Sequence, residues 1–163
     1  DAFEDIQRAV RIGRSRASEW NIDSSRIGVM GSSAGGHLAA RVSTGFDVQA
    51  YQKVDKYDGV SCKPDFTVLL YPAYMNKGKE LSKDFTVSSK ISPTLIVTAK
   101  DDKRFFPGSP IYANALKEAG ASVRTHFFDK GSHGFSLRPK QYPLSTWPDL
   151  FLQWLSDKKI IQE

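Results

Sequence analysis

Arg26-Ile27-Gly28-Val29-Met30-Gly31-Ser32-Ser33-Ala34-Gly35-Gly36-His37-Leu38-Ala39-Ala40 decides the fold. Arg26 to Met30 is a short apolar run that reads as a buried strand, and Gly36 to Val42 reads as a helix starting close against the sheet. Between them lies Gly31-Ser32-Ser33-Ala34-Gly35, a G-x-S-x-G, which in a strand-turn-helix setting is a nucleophile elbow. Such a turn holds its serine in a strained backbone conformation with the hydroxyl exposed above the sheet. Gly31 and Gly35 are expected to leave room where side chains would collide with the neighbouring strand and helix. The helix that follows Ser33 aims its dipole and free N–H groups at negative charge developing there. Taken alone the pattern also fits an ordinary Gly-Ser turn, so residues elsewhere must decide.

Outward from the elbow, strands and helices alternate. Asp1 to Trp20 places Phe3, Ile6, Ala9, Val10 and Ala17 on one helical stripe. Asp65 to Tyr71 and Pro93 to Ala99 read as buried strands, and Pro110 to Gly120 as a helix ending at a glycine. Ser122 to Phe128 reads as a fourth strand, and Trp147 to Lys159 as a closing helix with Pro148 early and lysines late. Phe46 to Pro64 and Met75 to Lys90 are polar and irregular; the first is expected to line the mouth of a site and the second to be mobile. The alternation predicts one α/β domain over residues 1–163, with a mostly parallel sheet and flanking helices. Sites in such sheets lie at the carboxyl ends of the strands.

Composition narrows the function classes. A chain of 163 residues with 40% hydrophobic and 25% charged residues is globular, and no apolar stretch approaches the length of a membrane span. The net charge of +5 comes from scattered basic residues that are not interleaved with aromatics, so no nucleic-acid surface is expected. Cys62 is the only cysteine, which excludes an intrachain disulfide and a cysteine-based metal site. His37, His126 and His133 lack metal-ligand spacing. No glycine-rich loop fits a dinucleotide or P-loop fingerprint, and no cofactor or metal is expected.

Three predicted strand ends carry reactive side chains: Ser33, then Thr98-Ala99-Lys100-Asp101-Asp102, then Asp129-Lys130-Gly131-Ser132-His133-Gly134-Phe135. A serine hydroxyl is a poor nucleophile at neutral pH unless an imidazole takes its proton, and a carboxylate must orient that imidazole. Ser33, His133 and Asp102 are the candidates, with the Ala34 N–H as one oxyanion donor. Gly131 and Gly134 would let the loop bring His133 over the serine. Asp102 is preferred over Asp101 because it lies three residues past the last strand alanine. Asp101 would then face solvent or cap a turn. Ser32 occupies the variable motif position, with its hydroxyl expected to point away from the site. His37 reads as structural, bonded to a neighbouring loop, and His126 as a sheet residue.

The order Ser, Asp, His is that of the α/β-hydrolases. Arg26 to Ala40 resembles the elbow of bacterial acetyl-esterase and hormone-sensitive-lipase-like members of that family. Leu70-Tyr71-Pro72-Ala73-Tyr74 and His126 to Phe135 resemble the same group. The likeness is greatest to the acetylxylan-esterase-like branch of carbohydrate esterases and covers nearly the whole chain. It implies an α/β-hydrolase fold and hydrolysis of short acyl esters, acetyl groups on plant polysaccharide among them, by Ser33, Asp102 and His133. It also fits a secreted or periplasmic protein, although composition does not fix the compartment. Two alternatives stay open: a serine peptidase of the prolyl-oligopeptidase kind, and a non-catalytic binding module on a hydrolase scaffold.

Family members carry an H-G-G-type loop and several strands upstream of the first helix, and this sequence shows neither. It opens at Asp1 inside a helical pattern and resembles the carboxyl-terminal part of the fold. The elbow strand is therefore expected at a sheet edge that a missing segment or a second chain would cover. Losing one oxyanion donor costs on the order of 3–4 kcal/mol in the barrier. The 163-residue chain alone is accordingly expected to be weak or inactive on esters.

Overall fold

The computed structural model describes residues 1–137 and 143–161. Four parallel strands form the main sheet in the order β1 (Gly28–Ser32), β2 (Phe66–Leu70), β5 (Thr94–Ala99), β6 (Val123–Phe128). A two-stranded antiparallel ribbon, β3 (Asn76–Lys77) with β4 (Glu80–Leu81), lies apart from it. The helices are α1 (Ala2–Ser15), α2 (Ala34–Thr44), α3 (Gly108–Glu118) and α4 (Trp147–Asp157).

The period-2 alternation of the central strands sorts their side chains into two cores. Leu69 of β2 and Ile96 of β5 join Val10, Ala40, Tyr112 and Leu116 on the face covered by α1, α2 and α3. Val68, Leu70, Leu95 and Val97 turn to the other face and meet Trp147, Trp154 and Leu155 of α4. Parallel pairing brings the carboxyl ends of β1, β5 and β6 to one edge of the molecule. Among the described residues β1 pairs only with β2, so it is an edge strand, and Met30 on it is 47% exposed.

Two expectations about loops are corrected. The segment 46–64 contributes no residue to the cleft described below; it is strapped to α1. Gln7 donates to the carbonyls of Gly45 (3.2 Å) and Val48 (2.7 Å) and accepts from the Ala50 N–H (3.2 Å). Arg11 donates to the Val60 carbonyl (3.2 Å), and Arg8 makes a forked contact with Asp58 (3.0 and 2.9 Å). Irregular backbone that is buried must find partners somewhere, and polar side chains of α1 supply them. For the same reason the buried side of α1 differs from the apolar stripe: Gln7 and Arg11 are buried with Val10, while Ala9 is exposed.

The segment 75–90 is an anchored ribbon, with Met75 and Phe85 only 1% and 6% exposed. α3 packs on it so closely that a methyl group at Gly108 would lie 2.6 Å from Asn76 Oδ1 and 2.8 Å from Met75 Cβ. His126 sits half-buried within β6.

Candidate active site

β1 delivers Ser33 to the sheet edge, and α2 begins at the next residue. Ser33 has φ 52° and ψ −123°, a conformation that costs a non-glycine residue on the order of 1–3 kcal/mol. Its backbone is fixed on both sides. The Ser33 N–H donates to the Leu70 carbonyl (3.0 Å), and its own carbonyl accepts from Gly36 (3.0 Å), His37 (3.2 Å) and Ala73 (3.0 Å). The last of these comes from the loop after β2, so the turn is held by a neighbouring strand as well as by its own helix.

The glycines divide this labour differently from the expectation. A methyl group at Gly31 would lie 2.0 Å from the Gly35 carbonyl oxygen, so no side chain fits there. Gly35 has nothing within 4 Å of that position; the tight residue is Gly36, where a Cβ would meet Pro72 Cβ at 2.9 Å. Gly35 is thus dispensable on steric grounds, and Gly36 takes the role of close helix–loop packing.

His133 enters from the loop after β6. Its Nε2 lies 2.7 Å from Ser33 Oγ and its Nδ1 lies 2.6 Å from Asp102 Oδ2. A carboxylate only accepts, so the Asp102 contact places the proton on Nδ1 and leaves Nε2 to accept from the serine hydroxyl. The Asp102 side chain is 4% exposed and also receives the Phe105 N–H at 3.3 Å. Tyr71 and Phe105 flank the imidazole, each with its ring centroid 4.9 Å away. Ser33, Asp102 and His133, three strand-end residues far apart in sequence, are therefore brought into one hydrogen-bonded row.

The loop that carries His133 is itself constrained. Ser132 has φ 57° and Gly134 has φ 76°. A Cβ at Gly131 would approach Leu144 Cδ2 to 2.9 Å and Ala99 Cβ to 3.1 Å. Asp101 is exposed, as expected, and the turn it caps is the one that carries His133: it accepts from the N–H groups of Gly131 (3.2 Å) and Ser132 (2.8 Å). Which turn it serves leaves no side-chain signature in the sequence, because the contact is made to backbone.

Ala34 is the first residue of α2 and is exposed. The first N–H groups of a helix have no acceptor within it, so the Ala34 N–H is free of intrahelical duty. An open cleft of about 660 Å³ lies over the row, lined by Ser32, Ser33, Tyr71, His133, Gly134 and Leu137 among others. Ser32, at the variable motif position, is exposed on the edge strand and borders the cleft. His37 stands behind the elbow, with Nδ1 3.1 Å from the Tyr74 carbonyl oxygen and Nε2 3.3 Å from Asp84 Oδ2. Burial lowers its pKa, and the Asp84 charge offsets only part of that effect. Among the described residues no group of three or more His, Cys, Asp or Glu side chains converges as a metal site requires.

Residues 1–71, from α1 through the elbow to the end of β2, match the family model described as BD-FAE. The crystal structure of an acetyl ester-xyloside bifunctional hydrolase from Caldicellulosiruptor lactoaceticus superposes with a TM-score of 0.86 at 32% identity, over 98% of this chain and 66% of that one. The chain has the α/β-hydrolase fold and is similar to esterase-like members of that family. Within that family, the acetylxylan esterase of Xylanibacter ruminicola is 29% identical over 157 residues, 80% of this chain and 30% of the relative. Endo-1,4-beta-xylanase B of Butyrivibrio fibrisolvens is 27% identical over 167 residues, 89% of this chain and 26% of the relative. The chain thus spans under a third of the length of these curated relatives. Esterase 2 of Thermogutta terrifontis, at 20% identity and a TM-score of 0.82, shares the α/β-hydrolase fold. No helix among the described residues is long and apolar enough to cross a membrane.

Proposed function

We propose that this chain carries the catalytic residues of a serine carboxylic ester hydrolase that removes short acyl groups, acetyl first among them, from esterified carbohydrate such as xylan. The observation that carries the reading is the hydrogen-bonded row from Ser33 Oγ through His133 to Asp102, at 2.7 and 2.6 Å. Ser33 Oγ attacks the ester carbonyl as His133 Nε2 takes its proton, and the new Oγ–C bond makes a tetrahedral oxyanion. The Ala34 N–H, at the positive end of α2, is placed to stabilise that charge. Collapse breaks the bond to the alkoxyl oxygen, which leaves as the alcohol with the proton from His133. Water then attacks the acyl-enzyme with His133 again as base, releasing the carboxylic acid and restoring Ser33. Asp102 keeps His133 in the tautomer that both halves require.

The substrate class is supported by the relatives described as an acetylxylan esterase and an acetyl ester-xyloside hydrolase. The test is hydrolysis of p-nitrophenyl acetate and of acetylated xylo-oligosaccharides, with a fluorophosphonate probe to mark the nucleophile. Ser33→Ala should abolish both turnover and labelling; labelling that persists would move the nucleophile elsewhere. A dipeptide amide cleaved faster than the acetyl ester would overturn the ester reading in favour of a peptidase.

A further inference from the structure

The two aspartates that follow β5 act on the same histidine from different directions. Asp102 bonds the imidazole ring. Asp101 turns its carboxylate to the backbone and collects two consecutive N–H groups, Gly131 at 3.2 Å and Ser132 at 2.8 Å. Consecutive N–H groups converging on one anion form a small nest, and bonds from N–H to a carboxylate are roughly twice as strong as neutral ones. The two donors are the residues immediately before His133.

The backbone there is not at rest. Ser132 is held at φ 57°, a region that a non-glycine residue leaves when nothing retains it. Gly131 is buried beside Leu144 and Ala99 with no room for a side chain, so the loop lies close over the end of β5. The neighbouring tie between the same two loops, Lys100 Nζ to Asp129 Oδ1 at 2.7 Å, joins side chains that are 52% and 85% exposed, and a surface pair of that kind holds little. Asp101 is exposed too, but it holds two consecutive backbone N–H groups instead of one flexible side chain, so of these two ties it is the one that fixes the height of the histidine loop over Ser33.

We infer that Asp101 is a positioning residue for the proposed hydrolysis: it clamps the His133 backbone so that Nε2 stays within hydrogen-bonding reach of Ser33 Oγ, while Asp102 sets only the ring. This rests on the proposed roles of Ser33, Asp102 and His133.

The experiment compares Asp101→Ala and Asp101→Asn with the parent protein. It measures kcat and KM for p-nitrophenyl acetate, and the low-field proton NMR signal of the His133 Nδ1–H bonded to Asp102. Asp101→Ala should lower kcat about ten- to hundredfold with KM within about twofold, because an ångström of misplacement at a reacting group costs on that order. Asp101→Asn keeps one acceptor oxygen and should lose only a few-fold. The low-field signal should broaden or move in Asp101→Ala although Asp102 is untouched. A kcat within twofold of the parent in both variants would overturn the inference, and so would an unchanged low-field signal. Should Asp101→Ala fail to fold, the isosteric Asp101→Asn decides by the same two readings. A parent protein in which neither ester turnover nor fluorophosphonate labelling depends on Ser33 would sink the proposed function instead, and the NMR reading would still decide the role of Asp101.

Discussion

A methyl group on Gly31 would lie 2.0 Å from the carbonyl oxygen of Gly35, well inside any real contact between those atoms. The elbow therefore closes because residue 31 lacks a side chain, and the carbonyl it meets belongs to the first turn of α2. Gly31→Ala must push α2 away from β1 and disturb Ser33. Overpacking of this kind costs about 1–3 kcal/mol, a Tm fall of about 2–12 °C for a domain of this size. Fluorophosphonate labelling of Ser33 should fall with it. Gly35→Ala meets nothing within 4 Å and should leave Tm unchanged or slightly raised. Thermal denaturation of the two variants checks the ranking, and the reverse order would overturn this account of the elbow.

Asp102 and Asp101 should separate cleanly in kinetics. In Asp102→Asn the amide can donate to Nδ1, which favours the tautomer with its proton on Nε2, where the base is needed. Loss of the orienting carboxylate in a site of this type costs about ten-thousandfold in kcat. Asp101→Asn disturbs only a backbone clamp and should cost a few-fold. Equal losses, or the opposite ranking, would show that the acid was assigned to the wrong residue.

The row of three was legible because each member ends a short apolar run, and parallel strands bring such ends to one side of a sheet. What escaped the sequence was contact made through backbone or across long separations. The motif pointed to Gly35 as the crowded glycine, but the crowding comes from Pro72 in another loop and falls on Gly36. Apolar periodicity put Ala9 on the inner side of α1. Burial instead follows Gln7 and Arg11, because an irregular segment with backbone groups to satisfy lies over that helix. The ribbon β3–β4 has strands of two residues, too short for any alternation to register, and it is scattered apolar residues, Met75, Leu81, Phe85 and Val87, that anchor the segment.

Asp58 should matter to stability and not to turnover. It receives Arg8, the hydroxyl of Tyr51 and the N–H groups of Val54 (2.8 Å) and Asp55 (3.3 Å), all far from the cleft. Burial pushes its pKa up, but these donors and the Arg8 charge outweigh burial and leave it well below the ordinary 3.8. A carboxyl whose folded pKa is depressed stabilises the fold above its unfolded pKa and loses that contribution as pH falls toward the folded value. Asp58→Asn should therefore lower Tm at neutral pH, flatten the acid limb of the stability curve, and leave kcat on p-nitrophenyl acetate within twofold. A large kcat loss at unchanged Tm would contradict the strap role given to segment 46–64.

His37 should give the fold a second pH dependence, at milder acidity. Burial against Phe85 and the start of α2 lowers its pKa below the ordinary 6.5, the Asp84 charge and the carbonyls of Tyr74 and Ala73 push it back up, and Arg41 lowers it further. The net direction is down, so the unfolded chain binds a proton at this residue before the folded one does. Stability is then complete above about pH 6.5 and declines as pH falls from there toward the folded value. His126 shifts the same way through burial and Arg124, so it contributes to the same slope. His37→Gln, which cannot be protonated, should reduce the fall in Tm between pH 7 and pH 5 without removing it. It should also lower Tm at neutral pH wherever the amide fails to replace the bond to Tyr74. Denaturation of both proteins across that pH range decides the matter: a slope unchanged by His37→Gln would mean that the buried imidazole is not what makes this fold sensitive to mild acid.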